Sequence, residues 1–68
     1  MKIEQEGIIK EHVKGAFIVT LPENSNHEVL CKPSGKMRYR NITLVVGDKV
    51  KIEMSPYDLT RGRITWRL

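Results

Sequence analysis

Apolar positions along this chain come in short runs broken by Gly, Pro, Asn and Asp, and inside the runs they alternate with polar ones at the period of a strand. The clearest case is Lys49 to Met54, where Val50, Ile52 and Met54 interleave with Lys49, Lys51 and Glu53, so that one face is dry and the other wet. Ala16 to Leu21 repeats the pattern with Phe17, Val19 and Leu21 on one face and Ile18 and Thr20 on the other. Ile3 to Val13 predicts a first strand, rich in β-branched Ile8, Ile9 and Val13, with Gly7 marking a bulge or sharp bend. Lys14-Gly15 predicts a tight hairpin turn between these two strands.

The polar run Pro22 to Asn26 is turn composition. It leads into a short third strand over Glu28 to Lys32, which Pro33 ends because it has no N–H to give to a ladder. Ser34-Gly35 is a helix-start signal. The segment it opens, through Arg40, is too short to be a helix on its own and must be pinned by flanking strands, with Met37 turned to the core. Asn41 to Val46 is apolar enough to be held against the core as either strand or short helix. After the Gly47-Asp48 turn comes the Lys49 strand, then a turn at Ser55 to Asp58, then a last strand over about Gly62 to Leu68 with Ile64, Trp66 and Leu68 on one face. Trp66 is expected in the core on that pattern. Five short strands with a short helix or helical turn between the third and fourth outline an all-β, OB-type barrel, with an SH3-like barrel as the nearest alternative. Closing the sheet also hides the edges that would make so small a β protein self-associate.

Sixty-eight residues, 1–68, are expected to form one domain, which hides only about 60% of its unfolded surface and leaves little room for a large catalytic cleft. The single cysteine, Cys31, follows Val29 and Leu30 and reads as a buried hydrophobe, and with no second thiol an internal disulfide is excluded. Neither an apolar run of membrane-spanning length nor a signal-peptide pattern at Met1 to Glu6 is present, so an intracellular, membrane-free setting is expected.

The net charge of +4 is unevenly spread. Residues 1–31 hold three lysines against five glutamates, a balance of −2, whereas residues 32–68 hold nine cations against three acids, a balance of +6. Segregation of this kind makes a one-sided positive field suited to a polyanion, with contacts that weaken as salt rises. The densest stretch is Lys36, Met37, Arg38, Tyr39 and Arg40, and Arg61 and Arg63 flank Gly62 in a second lobe near Tyr57. Arginine grips phosphate through a planar fork, and a tyrosine can stack on an unpaired base. Lys36, Arg38, Tyr39, Arg40, Tyr57, Arg61, Arg63 and Arg67 are therefore the candidate RNA-binding residues. Tyr39 and Tyr57 could equally pack on the barrel, and Arg63, Arg67, Lys49 and Lys51 could be no more than solvated strand faces. Nothing suggests an enzyme: His12 and His27 have no nucleophile or carboxylate at a motif spacing, no zinc set exists, and there is no Gly-rich phosphate loop. No cofactor or metal is expected.

Two runs carry a more specific signal: Ser34-Gly35-Lys36-Met37-Arg38, and Gly47-Asp48-Lys49-Val50 continuing to Tyr57-Asp58-Leu59-Thr60-Arg61-Gly62-Arg63-Ile64. In order and spacing they closely resemble bacterial and plastid translation initiation factor one, an OB fold of the S1 type, and the resemblance covers essentially the whole chain. It implies a non-catalytic protein, monomeric when free, that occupies the aminoacyl-tRNA site of the small (30S) ribosomal subunit. There it would contact the decoding region of 16S rRNA, keep tRNA out, and work beside initiation factors two and three, in a bacterial cytoplasm or a plastid stroma. Carried over by position, the RNA-facing set includes Lys36, Arg38, Arg61 and Arg63, with Tyr57 beside them. The departures are a short Lys14-Gly15 link, a long Pro22 to Asn26 turn, Thr43 where an arginine is common (a charge that Arg40 could replace), and an end at Leu68 without a basic tail. A cold-shock-like single-stranded RNA chaperone is the alternative on the same barrel, and it would carry several exposed aromatics on adjacent central strands. An adaptor binding proteins through an exposed sheet edge is a third reading.

Overall fold

The computed structural model describes residues 2–68. Its elements are β1 (Ile3–Val13), β2 (Ala16–Leu21), β3 (Asn24–Pro33), α1 (Gly35–Tyr39), β4 (Lys49–Ser55) and β5 (Asp58–Arg67). The strands close into a barrel in the order β1-β2-β3-β5-β4, with every neighbouring pair antiparallel except β3 and β5, which run parallel. That connectivity, with a helix between the third and fourth strands, is the OB fold. β1 is long enough to serve both seams: Ile3 to Ile8 pair with β4 and Ile8 to Val13 with β2.

Of the inward residues named by alternation, Phe17, Val19, Leu21, Val50, Ile52, Met54 and Ile64 do fill the barrel. Ile9, Phe17, Val19, Leu21, Val29, Cys31, Val50, Ile52, Met54 and Ile64 form the core, and Met37 of α1 is buried in the same cluster. α1 is fixed at both ends. The Ser34 backbone N–H donates to the Ile64 carbonyl at 2.9 Å, while its Oγ accepts from the Met37 N–H at 3.3 Å and so caps the helix. At the other end Asn41 takes a positive φ of 55°, Asn41 N–H donates to Arg38 O and Ile42 N–H to Met37 O. This paired closure is a Schellman motif, and partly buried Ile42 supplies its apolar contact to the core. Asparagine tolerates the left-handed conformation where a β-branched residue does not, so Asn41→Val is expected to lower stability by about 1–2 kcal/mol, and Asn41→Gly to leave it near the parent, in urea unfolding.

Burial pushes the Cys31 thiol up from its ordinary 9.0 to about 12. Native protein is therefore expected to resist iodoacetamide at pH 8 and to react once unfolded in urea. Since the unfolded thiol ionises near 9 and the folded one does not, the unfolded chain binds fewer protons above that pH. The thiol's contribution to stability is whole below pH 9 and falls as pH rises from 9 towards about 12.

Five expectations are corrected. The polar run Asn24 to Asn26 is strand, not turn: Pro22 and Glu23 alone make the hairpin, with proline at the second turn position it favours. A register slip follows, Leu21 pairing with Asn24 and Thr20 with Glu28, and it lets His27 Nε2 reach the Leu59 carbonyl on β5 at 2.8 Å. β5 begins at Asp58 rather than near Gly62, because Pro56 and Tyr57 suffice as a two-residue turn between Ser55 and Asp58. Residues 41–46 are neither strand nor helix. Ile42 and Leu44 pack on the core, while Val45 and Val46 are exposed in a turn that Asp48 closes by accepting the Val45 N–H at 3.0 Å and that docks on Ile9.

Gly7 is not at a bulge. The irregularity in β1 lies between Ile9 and Glu11, and Gly7 instead allows close approach, since a methyl there would stand 2.5 Å from Val19 Cγ1 and 2.8 Å from the Thr20 carbonyl oxygen. Trp66 and Leu68 lie outside the core. Ile64 pairs with Ile52 but Trp66 pairs with Lys51, so an extra residue in β5 shifts the alternation and turns the indole onto the face of Lys51.

Candidate nucleic-acid interface

The parallel seam between β3 and β5 organises the basic surface. Its register sets Leu30 opposite Arg61, Cys31 opposite Gly62 and Lys32 opposite Arg63. Because Cys31 is buried, Leu30 and Lys32 point outward on one side, and Arg61 and Arg63 do so on the other. These residues line a surface cleft of about 610 Å³. A second cleft of about 360 Å³ lies between the start of α1 and β5, lined by Ser34, Gly35, Lys36, Arg63 and Thr65, with Lys2 and Glu53 across it. Arg63 borders both, and so joins the strand cations to the helix lysine. Its guanidinium stands 3.9 Å from Glu53, which also has Lys2 at 3.6 Å. The two cations are exposed and Glu53 is half-buried, an arrangement that leaves the arginine able to exchange carboxylate for phosphate.

Tyr57 sits at the tip of the β4–β5 hairpin and is 96% exposed. The backbone beneath it is held: Ser55 Oγ accepts the Tyr57 N–H at 3.1 Å, and Asp58 Oδ1 accepts both the N–H and the hydroxyl of Thr60. Those bonds from Thr60 hold the Asp58 carboxyl below its ordinary value, so it stays ionised as the clasp of this turn. Tyr39 is 91% exposed on α1, with Arg38 and Arg40 also exposed to either side of it. Neither tyrosine packs on the barrel.

Of the eight candidates, the clefts bring together Lys36, Arg61 and Arg63. Arg38, Tyr39 and Arg40 project from the helix beyond them, and Tyr57 stands at the start of the β5 hairpin. Arg67 is apart: its Nη1 donates to the Thr43 carbonyl at 2.8 Å, tying the end of β5 to the segment after α1. Lys32 joins the set only through the structure. The alternation of Leu30, Cys31 and Lys32 contains the signal for its outward aim, but not for its neighbour Arg63, which comes from a parallel pairing of strands distant in sequence.

The rest of the surface is of different character. Lys10 of β1 pairs with Glu28 of β3. Phe17, the aromatic residue of the central strands, is only 7% exposed and lies under the His12 ring, centroids 4.5 Å apart and nearly parallel. A surface cleft of about 240 Å³ is lined by Ile3, Leu21, Met54 and Leu59 together with Gln5, Glu23 and His27. Among the described residues no group of three or more His, Cys, Asp or Glu is placed to hold a metal, and no helix is long and apolar enough to cross a membrane.

A profile of the family described as translation initiation factor 1A / IF-1 matches residues 4–68. Among solved structures, the solution structure of translation initiation factor one from the Wolbachia endosymbiont strain TRS of Brugia malayi is similar, with a TM-score of 0.81 and 38% identity over 98% of this chain and 78% of that one. The crystal structure of YjeQ from Thermotoga maritima matches with a TM-score of 0.80 and 29% identity over 97% of this chain but 23% of that one. YloQ, a circularly permuted GTPase, matches with a TM-score of 0.80 and 24% identity over the same shares, a likeness of fold alone.

Proposed function

The chain belongs to the translation initiation factor 1A / IF-1 family, and from that premise we propose that it binds the 30S subunit at the aminoacyl-tRNA site through 16S rRNA. It would bar premature tRNA entry by occupancy, with no bond made or broken, and assist initiation factors two and three there. It would work wherever such ribosomes are, in a bacterial cytoplasm or a plastid stroma. The observation that carries the reading is the continuous cationic edge in which Arg63 joins Arg61 and Lys32 of the parallel seam to Lys36 at the helix start. Three outward cations on two rigid strands can meet successive phosphates with little side-chain ordering beyond their own, and Arg38, Arg40 and the exposed Tyr39 and Tyr57 extend the reach on either side. The cold-shock alternative needs an aromatic platform on the central strands, and Phe17 is buried.

Labelled protein titrated against purified small subunits, large subunits and a generic single-stranded RNA, each at several salt concentrations, tests the reading. Saturable one-to-one binding to small subunits alone, displaced by an A-site ligand and weakening with salt, is expected. Equal binding to any RNA would overturn the ribosomal assignment in favour of a general RNA chaperone.

A further inference from the structure

Trp66 is nearly half exposed although its neighbour in the strand pattern, Ile64, is fully buried. The extra residue in β5 between the Lys51–Trp66 and Ile52–Ile64 pairs is the cause, and Thr65 fills that position with its hydroxyl near the Lys51 carbonyl. Residues directly opposite each other in an antiparallel pair share a face, with Cβ atoms about 4.5–5.5 Å apart. Lys51 and, one step along β4, Lys49 are exposed, and neither forms an ion pair among the described residues. The outer face of β4 and β5 thus presents an indole with two free ammonium groups beside it. It also adjoins the basic cleft, because Thr65 lines that cleft with Arg63 and Lys36. Glu6 of β1 stands opposite Lys51 on the far side and bounds the positive strip there.

We propose that this face is a binding site for an unpaired nucleotide of a single-stranded nucleic acid, the base stacking on Trp66 and its phosphate held by Lys51 and Lys49. An exposed indole offers the largest π-face in the chain, and adjacent cations give the backbone charge a partner. That combination is how sequence-independent recognition of single strands works. The site lies away from the β2–β3 face that OB folds commonly use, where this chain has buried its phenylalanine. It does not rest on the ribosomal reading, since a free oligonucleotide would suffice.

Trp66 is the sole tryptophan, so its emission reports on the site directly. The full chain would be titrated with an eight-nucleotide oligouridylate and with an RNA duplex of equal length, and binding of the labelled oligomer to variants would be followed by anisotropy. Saturable quenching by the single strand and weaker quenching by the duplex are expected. Trp66→Ala is expected to weaken oligomer binding roughly 5- to 150-fold, the range set by about 1–3 kcal/mol per stacked base. Trp66→Phe should recover most of the loss, and Lys51→Glu should weaken binding and flatten its salt dependence, with thermal melting confirming the fold in each case. Emission unchanged at saturating oligomer, or equal affinity of folded Trp66→Ala and parent, would overturn the site. Quenching retained in a protein that fails to bind small subunits supports this site and overturns the ribosomal reading; subunit binding without quenching does the reverse.

Discussion

Reversing Arg61 and Arg63 to glutamate together is expected to weaken small-subunit binding by about 100-fold or more, with the protein still folded. Two charge-assisted contacts at about 1.5–3 kcal/mol each set that figure, before any repulsion from the new carboxylates. The fold should survive because both side chains are exposed on the outer face of β5, and the ion pair broken among the described residues, Arg63 with Glu53 at 3.9 Å, is a surface pair worth at most about 1 kcal/mol. Melting followed by circular dichroism separates the two effects, and the binding slope against salt should become shallower as cations are lost. The paired neutral variants, Arg61→Gln with Arg63→Gln, should fall between. A folded double-glutamate protein that bound subunits like the parent would remove the β3–β5 seam from the interface. Adding Arg38→Glu to Arg63→Glu in a separate variant asks the same of the helix.

How much of this was legible in the chain depends on the distance over which each feature is decided. β1 and β2 are read within two residues of their ends because period-two alternation and the Lys14-Gly15 turn are local signals. The helix start is legible too, since the Ser34 cap and the Met37 anchor lie within four residues, whereas its closure at Asn41 is not read from the sequence. Features set by partners are not. Asn24 to Asn26 have turn composition, yet Asn24 pairs with Leu21 of β2 across the two-residue turn and the strand begins there; the apolar run Asn41 to Val46 has strand composition, yet the barrel is already closed by β1 and β4, so no edge is left for it to join.

Trp66 shows the limit most clearly. Perfect alternation from Ile64 to Leu68 argues for three core residues, and one residue of slippage against β4 reverses the face of two of them, because the side-chain period of a strand is two. The candidate interface divides in the same way. That cations crowd the second half is plain from the sequence; that Lys32 and Arg63 stand side by side while Arg67 is turned to the Thr43 carbonyl follows from pairing and register. The same topology explains how segregation in sequence becomes segregation in space. β5 lies between β3 and β4, so the cations of these three strands lie on adjacent strands, bounded on the β4 side by Glu4 and Glu6 of β1.

Gly62 is where scaffold and interface meet, and Gly62→Val is expected to be among the most damaging single changes in the chain. A Cβ at this position would lie 2.7 Å from the Glu53 carbonyl oxygen, 3.2 Å from Met54 Cγ and 3.3 Å from Cys31 Sγ. Two of those neighbours are core side chains and the first is strand backbone, so the clash cannot be relieved by a surface rotamer. β5 must instead move off β4. Overpacking of a close contact typically costs about 1–3 kcal/mol, and a branched side chain against backbone should reach or pass the upper figure. A single small core rarely supplies more than about 3–5 kcal/mol, so valine here should leave much of the chain unfolded at about 37 °C, with a sharply lower urea midpoint. Gly62→Ala is the graded test: it should lose a smaller amount, and because Arg61 and Arg63 flank the displaced backbone, its folded fraction should also bind subunits less well than melting alone explains. An alanine variant melting within about 2 °C of the parent would mean that the β4–β5 seam yields freely, and the rigid spacing assigned to the two arginines would then have to come from β3 alone.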